Sequence, residues 1–575
     1  AEGMGSGNEF SDAVTQTLPI KVAGFVQKSG EAKEGNAEYT VKFPEGTNYT
    51  QSKLVLDLAP SLLGTIPTAM RGLLDYPYGC VEQTTSRFVP LVIAHREKGI
   101  FAEAIKGKDT TKMLEKGIEH LGNLQNEEGG WGFWSGGESN PYVTSYVIEY
   151  LLEARSLGVR VDDITLMLAS ARTYVEQASK EAIATREKNL PLTYSAAESE
   201  EVYKSLISLA YAKSLLGLSV EPRETHEGAL IPSYALLSPE LLSLAIRVNT
   251  RMGDFDMSQN GVEALMAKVK KGEAGWYWDA GKIDYYASQD AATAMAVQAL
   301  IAARYDHEAL VPAVRFLTAS RKAGYWSNTY ATVQVIRALV DFSKQGVAQN
   351  PEYAYRVELD GKLIKEGKMT SNLTNISLSI AGEMIRPEGS VLKVSYVGTG
   401  ELYSSLLQTL ARESATFVGE SHGMMLTRKY ESVARPGAVP ALGDTVRVVL
   451  SVSGVKQARN RLVVEDTLPA GMVPIHENFK NERGATSLEN RRFVSGWVDE
   501  YTENGAVITL DAYGLDLYEM SYLARVVNTG EYYAPPAYAE LMYSPMVYAY
   551  SSASREIFPE TSVAPKKPFI ERSLK

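Results

Sequence analysis

The residues with the clearest chemical potential in this sequence are its single cysteine and a nearby glutamine. Cys80 and Gln83 stand in the run YPYGCVEQ at positions 76–83. Residues three apart lie on one face of a helix, within side-chain reach of each other. The thiolate of Cys80 can therefore attack the Gln83 carboxamide, expel ammonia and close a thioester ring. Proximity makes this step feasible without a cofactor.

The elements around Cys80 are predicted to hold it at the start of a helix. Pro77 and Gly79 favour a turn, and an apolar helical segment follows at 88–93. The first turn of a helix offers backbone N–H groups without helical partners and the positive end of the helix dipole. Both favour a thiolate, so we expect the anion to be favoured at Cys80.

Other roles for a lone cysteine stay open. One cysteine excludes an internal disulfide and a cysteine-rich zinc cluster, and a buried core position is common for this residue type. A cysteine hydrolase or transglutaminase would need a histidine partner and an orienting Asp or Asn. No two histidines lie at metal-ligand spacing, so the sequence predicts neither a metal site nor a cofactor. The histidines are His95, His120, His226, His307, His422 and His476.

Between about residues 59 and 344 the sequence has the period of helices. Apolar residues recur at i, i+3, i+4 and i+7 in several segments, and loops rich in Gly, Pro, Asn and Asp join them. Roughly ten to twelve helices of ordinary length fit this span. The clearest segments are Tyr142–Leu157, Val202–Leu216, Pro239–Met252, Gln289–Arg304 and Thr329–Phe342.

Three joints between these helices share one pattern, in which glycine precedes aromatic residues and a helix follows. They are GGWGFW at 129–134, GWYW at 275–278 and GYW at 324–326, and they contain every tryptophan except Trp497. Large aromatic side chains suit the corners between packed helices. We interpret the joints as packing devices rather than as ligand sites.

The period of β-strands flanks the helical region on both sides. Glu38–Phe43 and Lys53–Leu58 alternate before it, and strands joined by an Asp360-Gly361 hairpin turn follow it. Neither β segment alone has enough strands for a stable sheet, so the simplest topology inserts the helices into one loop of a β-sandwich. A second all-β domain is predicted from about residue 411. Its strands are Thr445–Val452, Arg461–Glu465, Arg492–Trp497, Ala506–Asp511, Met520–Val527, Ala539–Tyr543 and Val547–Tyr550.

Charge and hydropathy exclude several classes of function. The formal net charge is −11, and no basic run interleaved with aromatics occurs, which argues against nucleic acid and anionic membranes as partners. No uncharged apolar stretch reaches the length of about 18 residues that a membrane-spanning helix needs. The first twelve residues lack signal-peptide regions and begin without Met, so we expect the sequence to be a piece of a longer protein.

The run YGCVEQ at 78–83 resembles the Gly-Cys-x-Glu-Gln thioester motif of alpha-2-macroglobulins and complement proteins. The lead-in at 76–78 and the phrase VEDTLPAG at 464–471 are similar to bacterial alpha-2-macroglobulins in particular. The order of helical and β segments is also that of the family. The resemblance implies a multidomain α+β fold in which an α/α toroid of six helical hairpins is inserted in a CUB-type β-sandwich, with a macroglobulin-like β-sandwich after it.

The domain boundaries implied by the resemblance divide the chain into four segments. Residues 1–58 are the first part of the CUB-type sandwich with the tail of a preceding domain, and 59–346 are the toroid with the thioester. Residues 347–410 complete the CUB-type sandwich. Residues 411–575 form the macroglobulin-like sandwich.

The resemblance implies a covalent protease trap rather than an enzyme. In the family a protease cuts a bait region, the molecule rearranges, and a lysine amine of the protease attacks the acyl carbon of Gln83. An isopeptide bond and a free Cys80 thiol result. The bait is absent from this sequence, so a thioester-bearing C-terminal fragment is expected. Family association also implies a monomer, a periplasmic location with a lipid anchor in the inner membrane, and a penicillin-binding peptidoglycan synthase as a second partner.

Further site residues enter through the resemblance alone. Gly79 and Glu82 complete the motif, although a glutamate in a first helical turn also compensates the helix dipole. In bacterial relatives a tyrosine four residues before the cysteine shields the thioester from water, and Tyr76 matches it. Tyr78 and Met542 are further candidates for shielding, with ordinary packing as the alternative for each.

Short stretches of sequence bear on the preferred nucleophile and on two alternative protein classes. Complement-type relatives use a histidine to transfer to hydroxyls, but the matching stretch, Glu187–Glu201, contains none, which favours amines. A terpene-cyclase-like toroid would need an Asp-rich cluster, and only Asp162-Asp163 and Asp254-x-Asp256 occur, in loop-like sequence. Thioester adhesins place their motif in β structure, whereas this motif opens a helix.

Overall fold

The structure is a computed structural model. It describes residues 2–5, 8–11, 24–60, 66, 69, 73, 80–97, 109–134, 136–189, 196–281, 286–305, 307–321, 326–345, 350–371, 375–413, 417–456, 458–476 and 497–560. Three residues predicted for the site, Tyr76, Tyr78 and Gly79, lie outside these ranges. Cys80, Glu82, Gln83 and Met542 lie within them.

The helices and strands follow the two periods of the sequence. The helices are α1 (Val81–Arg96), α2 (Thr110–Asn123), α3 (Pro141–Ser156), α4 (Val161–Asn189), α5 (Ala196–Leu215), α6 (Pro239–Met252), α7 (Phe255–Met266), α8 (Gln289–Ala302), α9 (His307–Ala319) and α10 (Thr329–Ser343). The strands are β1 (Glu2–Gly5), β2 (Asn8–Ser11), β3 (Gly24–Glu34), β4 (Ala37–Val41), β5 (Thr47–Ala59), β6 (Lys270–Gly272), β7 (Gly275–Tyr277), β8 (Glu352–Leu359), β9 (Lys362–Met369), β10 (Ile376–Ala381), β11 (Ser390–Thr399), β12 (Tyr403–Glu413), β13 (Glu420–His422), β14 (Met425–Ser432), β15 (Thr445–Ser453), β16 (Ala458–Thr467), β17 (Met472–Pro474), β18 (Trp497–Thr502), β19 (Gly505–Tyr513), β20 (Leu517–Val526), β21 (Gly530–Ala534), β22 (Tyr538–Leu541), β23 (Ser544–Tyr550) and β24 (Ser554–Phe558). Within the described ranges, no helix has both the length and the apolar character needed to cross a membrane.

The first β-sandwich is built from both β segments that flank the helices. One sheet has the order β10-β5-β12-β3 and the other the order β4-β11-β8-β9. Inward residues of the two sheets, among them Tyr39, Leu56 and Val357, form one buried core. The predicted insertion of the helices into this sandwich is confirmed, since the chain leaves it after β5 and returns at β8. Asp360 and Gly361 have φ values of 50° and 78°, as a type I′ turn requires, and the predicted hairpin between β8 and β9 is confirmed.

Six helices of the described part form a closed ring at the centre of the helical domain. Each of α1, α3, α5, α6, α8 and α10 packs against two others, and α10 closes the ring against α1. The remaining helices pack outside. Ring helix α8 is buried from Asp290 to Leu300 without interruption, whereas outer helix α2 buries only Leu114, Ile118 and Leu121, the single stripe of an amphipathic helix. The α/α toroid expected from the sequence is confirmed.

The three tryptophan joints have the same hydrogen bonds. In each joint the indole N–H of a buried tryptophan donates to a carbonyl in the last turn of the preceding helix. The backbone N–H of the same tryptophan donates to a threonine hydroxyl on the following helix. These repeated bonds fix the corner between an outer and a ring helix, as the packing interpretation predicts. The sets are Leu121, Trp131 and Thr144; Leu265, Trp278 and Thr293; and Leu317, Trp326 and Thr332.

The second β-sandwich pairs a six-stranded sheet, β13-β23-β22-β16-β19-β18, with a four-stranded sheet, β14-β15-β20-β17. The predicted strand Ala539–Tyr543 ends earlier than expected, because Met542 and Tyr543 form the turn from β22 to β23. The N–H of Met542 donates to the Arg461 carbonyl of β16 at 2.8 Å, which holds this turn against the sheet. Of the predicted strand Arg492–Trp497, only the last residue is described, as the start of β18.

Candidate functional site

Cys80 caps the N-terminus of α1. Its φ of −64° and ψ of 166° are extended, and its carbonyl accepts the N–H of Thr84 at 2.8 Å. The sulfur accepts the backbone N–H of Gln83 at 3.4 Å, as an N-capping side chain does. Val81 donates its N–H to the carbonyl of Phe133 at 3.0 Å, so the first tryptophan joint fixes the entry into the helix. The predicted place of Cys80 at a helix start is confirmed.

The ionisation predicted for Cys80 is wrong for the folded chain. The residue is 1% exposed. Burial, reinforced by the negative charge of Glu82, raises the pKa of the thiol to about 12, although the Gln83 N–H lowers it. The free energy needed to remove a thiolate from water exceeds the stabilisation that one amide N–H and the helix dipole provide. The thiol is therefore the favoured form.

Gln83 lies fully buried in the first turn of the same helix. Five consecutive polar residues are buried here, although such side chains are usually exposed. Burial of polar groups is costly unless they are hydrogen-bonded, so a run of this kind is typical of a functional site rather than of ordinary core. The five are Glu82, Gln83, Thr84, Thr85 and Ser86.

Glu82 is a buried carboxyl group surrounded by hydroxyls. The Ser86 hydroxyl donates to it at 2.6 Å, and the Thr329 hydroxyl of α10 lies 3.2 Å from both of its oxygens. The Tyr543 hydroxyl also favours its charged form and so helps to lower its pKa. Burial nevertheless raises its pKa to about 7. Compensation of the helix dipole by an exposed charge, the alternative expected from the sequence, does not describe this residue.

Met542 and Tyr543 of the second sandwich reach into the helical domain. Both side chains are buried in the same apolar cluster as Cys80. The Tyr543 hydroxyl lies 3.9 Å from the Cys80 sulfur. Met542 was singled out from the sequence but Tyr543 was not, and the only signal for it was its position beside Met542. The structure thus brings together Cys80, Glu82 and Gln83, and it buries Met542 in the same apolar cluster as Cys80.

A second contact between the domains lies beside this turn. The Arg461 guanidinium stacks on the ring of Trp134, 4.3 Å from its centroid. Arg461 is held within the sandwich by Asp511 at 2.8 Å and by the Thr509 hydroxyl at 2.9 Å. Trp134 therefore does more than pack a helix corner, which the sequence did not indicate.

Tyrosine rings surround the site on the side of the ring helices. Tyr286 stands 6.2 Å from the ring of Tyr543, 5.3 Å from Tyr142 and 5.0 Å from Tyr330, measured between centroids. The buried Lys204 ammonium lies over the rings of Tyr142 and Tyr286. This aromatic lining limits the access of water to Cys80.

The described residues contain no group of three or more His, Cys, Asp or Glu that could hold a metal ion. Within the same ranges, the hydrogen bonds of Cys80 lead to Gln83 and Tyr543 rather than to a histidine. The two Asp pairs do not form a cluster: Asp163 pairs with Arg160 in the first turn of α4, and Asp254 caps α7. The expectation that these pairs lie in loops is wrong for Asp162 and Asp163, because α4 begins at Val161, and for Asp256, which lies in the first turn of α7.

Two family models match parts of the chain. Residues 53–203 match the A-macroglobulin TED domain, and residues 423–545 match the bacterial alpha-2-macroglobulin MG10 domain. The first match contains Cys80 and Gln83. The second contains Arg461, Met542 and Tyr543. The site therefore lies where these two domains meet.

Known proteins match over most of the chain. An alpha-2-macroglobulin homologue of Yersinia pestis is 24% identical over 88% of this chain and 25% of its own length. The fold is also that of native Escherichia coli alpha-2-macroglobulin from domain MG7 to the C-terminus, with a TM-score of 0.70, 19% identity and coverage of 94% of this chain and 83% of that chain. Salmonella alpha-2-macroglobulin reacted with methylamine gives a TM-score of 0.68 at 18% identity, over 93% of this chain and 34% of that chain. The chain thus spans only about a quarter of the length of the Yersinia relative.

Proposed function

Since this chain is a homologue of the C-terminal part of bacterial alpha-2-macroglobulins, we propose that it is the reactive part of a protease-trapping inhibitor. In this proposal the Cys80 sulfur displaces ammonia from the Gln83 carboxamide and forms an internal thioester. A lysine amine of a protease then attacks the Gln83 acyl carbon. An isopeptide bond to the protease forms, and the Cys80 thiol is released.

The observation that carries the proposal is the first turn of α1. The sulfur of Cys80 already contacts the backbone N–H of Gln83 at 3.4 Å, both side chains are buried, and the Tyr543 hydroxyl of the MG10 domain lies 3.9 Å from the sulfur. Proximity of this kind promotes an otherwise slow acyl transfer. The Salmonella protein of the same fold was crystallised after reaction with methylamine, which is the class of nucleophile proposed here.

The proposed role is stoichiometric rather than catalytic. Each thioester is consumed when an amine opens it, because the acyl group of Gln83 stays on that amine in a stable amide bond. A cysteine hydrolase would instead need a histidine beside the sulfur and an Asp or Asn to orient it. The described contacts of Cys80 provide a phenol and an amide N–H, which favours the trap.

The remainder of the proposal concerns the whole protein. A bait region in the longer protein would be cut by the target protease, and the resulting rearrangement would expose the thioester. We propose a monomer in the bacterial periplasm, anchored to the inner membrane by lipid, and a penicillin-binding peptidoglycan synthase as a second partner. The polypeptide described here would contribute the reactive bond and its shield.

Intact mass and thiol titration test the proposed function. The purified chain should be one ammonia lighter than its sequence mass and should have no titratable thiol in denaturant. Methylamine should add one amine at Gln83 and release one thiol, and amine should be preferred when glycerol is also present. Cys80→Ser, which cannot form the bond, should keep its sequence mass and ignore methylamine. A wild-type chain with its full sequence mass and one thiol would show that the proposal is wrong.

A further inference from the structure

The Tyr543 hydroxyl connects the Cys80 sulfur to a carboxyl group. It lies 3.9 Å from that sulfur, and its interaction with the buried Glu82 carboxyl helps to lower the pKa of that group. A phenol can accept a proton on its oxygen while it donates its own. The three buried groups therefore form one cluster in which the phenol connects the thiol with the carboxyl.

Within the described residues, the contacts of Glu82 differ from those of another buried glutamate in the same domain. The Glu149 carboxyl is paired with Arg247 and Arg337, and these cations outweigh burial and lower its pKa to about 2. Glu82 instead receives hydrogen bonds from the hydroxyls of Ser86 and Thr329. Hydroxyl donors stabilise the carboxylate without preventing its protonation, so Glu82 is suited to exchange protons.

We propose that Tyr543 and Glu82 form a proton relay for Cys80, which removes the thiol proton as the thioester closes and returns it as an amine opens the bond. The relay rests on the proposed function. It makes Tyr543 a catalytic residue, because its hydroxyl touches the reacting sulfur. Glu82 acts through Tyr543 and is a positioning residue that also stores the proton.

The steps of closure balance in atoms and charge. The Cys80 S–H proton moves to the Tyr543 oxygen while the Tyr543 proton moves to the Glu82 carboxylate, and the sulfur electron pair attacks the Gln83 carbonyl carbon. When the C–N bond breaks, the stored proton returns by the same path to the departing nitrogen. One thiol and one carboxamide thus yield one thioester and one ammonia, and Glu82 ends as it began. Opening by an amine is the reverse, with the amine proton reaching the Cys80 sulfur.

The burial of Cys80 makes such a relay necessary. The attacking species is the thiolate, and burial raises the pKa of this thiol to about 12, so very little thiolate exists near neutral pH. A positioned general base typically accelerates a proton-coupled step by about 10²–10⁴-fold. Tyr543 belongs to the MG10 domain, whereas Cys80 and Glu82 belong to the TED domain. The relay is therefore complete only when the two domains are docked.

Isosteric variants of the whole chain test the relay. Tyr543→Phe keeps the ring that covers the sulfur but removes the hydroxyl, and Glu82→Gln keeps the shape of the carboxyl group. Both should open with methylamine about 10²-fold or more slowly than wild type, as expected for a lost acid–base group. Tyr234→Phe is the control, because Tyr234 is a buried phenol that bonds the Thr225 carbonyl elsewhere in the toroid. Circular dichroism and melting temperature should show that all variants are folded.

The pH profile separates a proton relay from a merely structural role. At a constant concentration of free methylamine, opening by wild type should accelerate as pH rises through about 7, because burial raises the pKa of Glu82 to about 7 and only the carboxylate can accept the proton that the attacking amine loses. Glu82→Gln should remove this step. Thr329→Val removes a hydroxyl that donates to Glu82, so it should move the step to higher pH. The other titratable groups facing Glu82 are Cys80, Tyr146 and Tyr543, and they titrate well above this range.

The outcomes distinguish the relay from the thioester itself. Slower opening of Tyr543→Phe with its thioester intact, together with the loss of the pH step in Glu82→Gln, supports the relay. Variants that match wild type in thioester content, opening rate and pH profile would overturn the relay and leave the trap unaffected. If Glu82→Gln changed the opening rate and the pH profile but Tyr543→Phe did not, the path through Tyr543 would be overturned. A wild-type chain without a thioester would overturn both the proposed function and the relay.

Discussion

At the scale of single residues, the surroundings of Cys80 suit a neutral thioester better than the products of its hydrolysis. Hydrolysis would place a new carboxylate at position 83, where the side chain has no exposed surface. An unpaired charge in such a place is expensive. The apolar cover that raises the thiol pKa also excludes the water that would attack the bond. Burial therefore protects the proposed thioester by two routes.

Met542 is the residue whose removal should weaken this protection most selectively. Met542→Ala would open space in the cluster that contains Cys80, and a buried Met→Ala change costs about 2–5 kcal/mol. We expect the variant to fold and to release its free thiol faster than wild type in buffer without amine. Thiol titration over time measures this release. Met520→Ala is the matched control, since Met520 is equally buried in the core of the same sandwich. Equal lifetimes of the thioester in the two variants would contradict a shielding role for Met542.

At the scale of elements, an ion-pair network ties three ring helices together. Glu149 of α3 contacts Arg247 of α6 and Arg337 of α10, and the Tyr211 hydroxyl of α5 donates to it at 2.7 Å. Four members of the closed ring, of which α3, α5 and α6 are consecutive, thus meet at one carboxyl group. Breaking one partner of a buried ion pair leaves an uncompensated charge. The network should therefore matter for the toroid that holds Cys80 in place.

Glu149→Gln tests this network. The change leaves two buried arginines short of a counter-charge and should lower the free energy of unfolding by about 3–5 kcal/mol. Tryptophan fluorescence reports the toroid, since five of the six tryptophans lie in its joints. In wild type the arginines lower the pKa of Glu149 to about 2 against the effect of burial. Its contribution is thus present above the unfolded pKa of about 4.3 and is lost as pH falls toward 2.

The exposed Glu263 of α7 provides the control. Glu263→Gln should change the free energy of unfolding by no more than about 0.5 kcal/mol, as is usual for surface substitutions. The difference between the two variants should shrink in acid, because protonation then removes the charge of Glu149 from wild type as well. A difference that stays constant from neutral pH to about pH 2 would contradict the role assigned to its charge.

The sequence predicted the elements because their signals are local. The spacing of Cys80 and Gln83 and the turn before α1 indicated a reactive helix start, and the two periods revealed the inserted toroid. The pKa of Cys80 was predicted in the wrong direction, because burial depends on residues far away in the chain. The contact of Tyr543 with Cys80 spans 463 positions, and no periodicity encodes such a pairing.

At the scale of the whole molecule, the site is shared between two domains. The TED domain contributes the reactive pair, and the MG10 domain contributes the turn with Met542 and Tyr543. Separation of the domains would remove the cover, and with it the hydroxyl beside the sulfur. The stability of this contact should therefore set the rate at which the proposed thioester becomes accessible. Arg461 and Trp134 form the polar part of the same contact.

Arg461→Met should make the proposed thioester more accessible without unfolding either domain. The substitution keeps an unbranched stem but removes the stacking on Trp134 and the bonds to Asp511 and Thr509. A cation–π contact contributes about 0.5–2 kcal/mol, so the separated state should become about 2- to 30-fold more populated. Where separation of the two domains limits the rate of thioester opening, the variant should consume methylamine faster by the same factor.

Arg435→Met is the matched control for this last experiment. Arg435 belongs to the same sandwich and pairs with Asp444, but it is half exposed, and such surface pairs contribute at most about 1 kcal/mol. The control should therefore react at nearly the wild-type rate. If Arg461→Met lowered the melting temperature of the sandwich but left the amine reaction unchanged, Arg461 would stabilise the MG10 domain alone. An accelerated reaction at an unchanged melting temperature would instead assign Arg461 to the contact between the domains, because only that contact controls the path of an amine to Gln83.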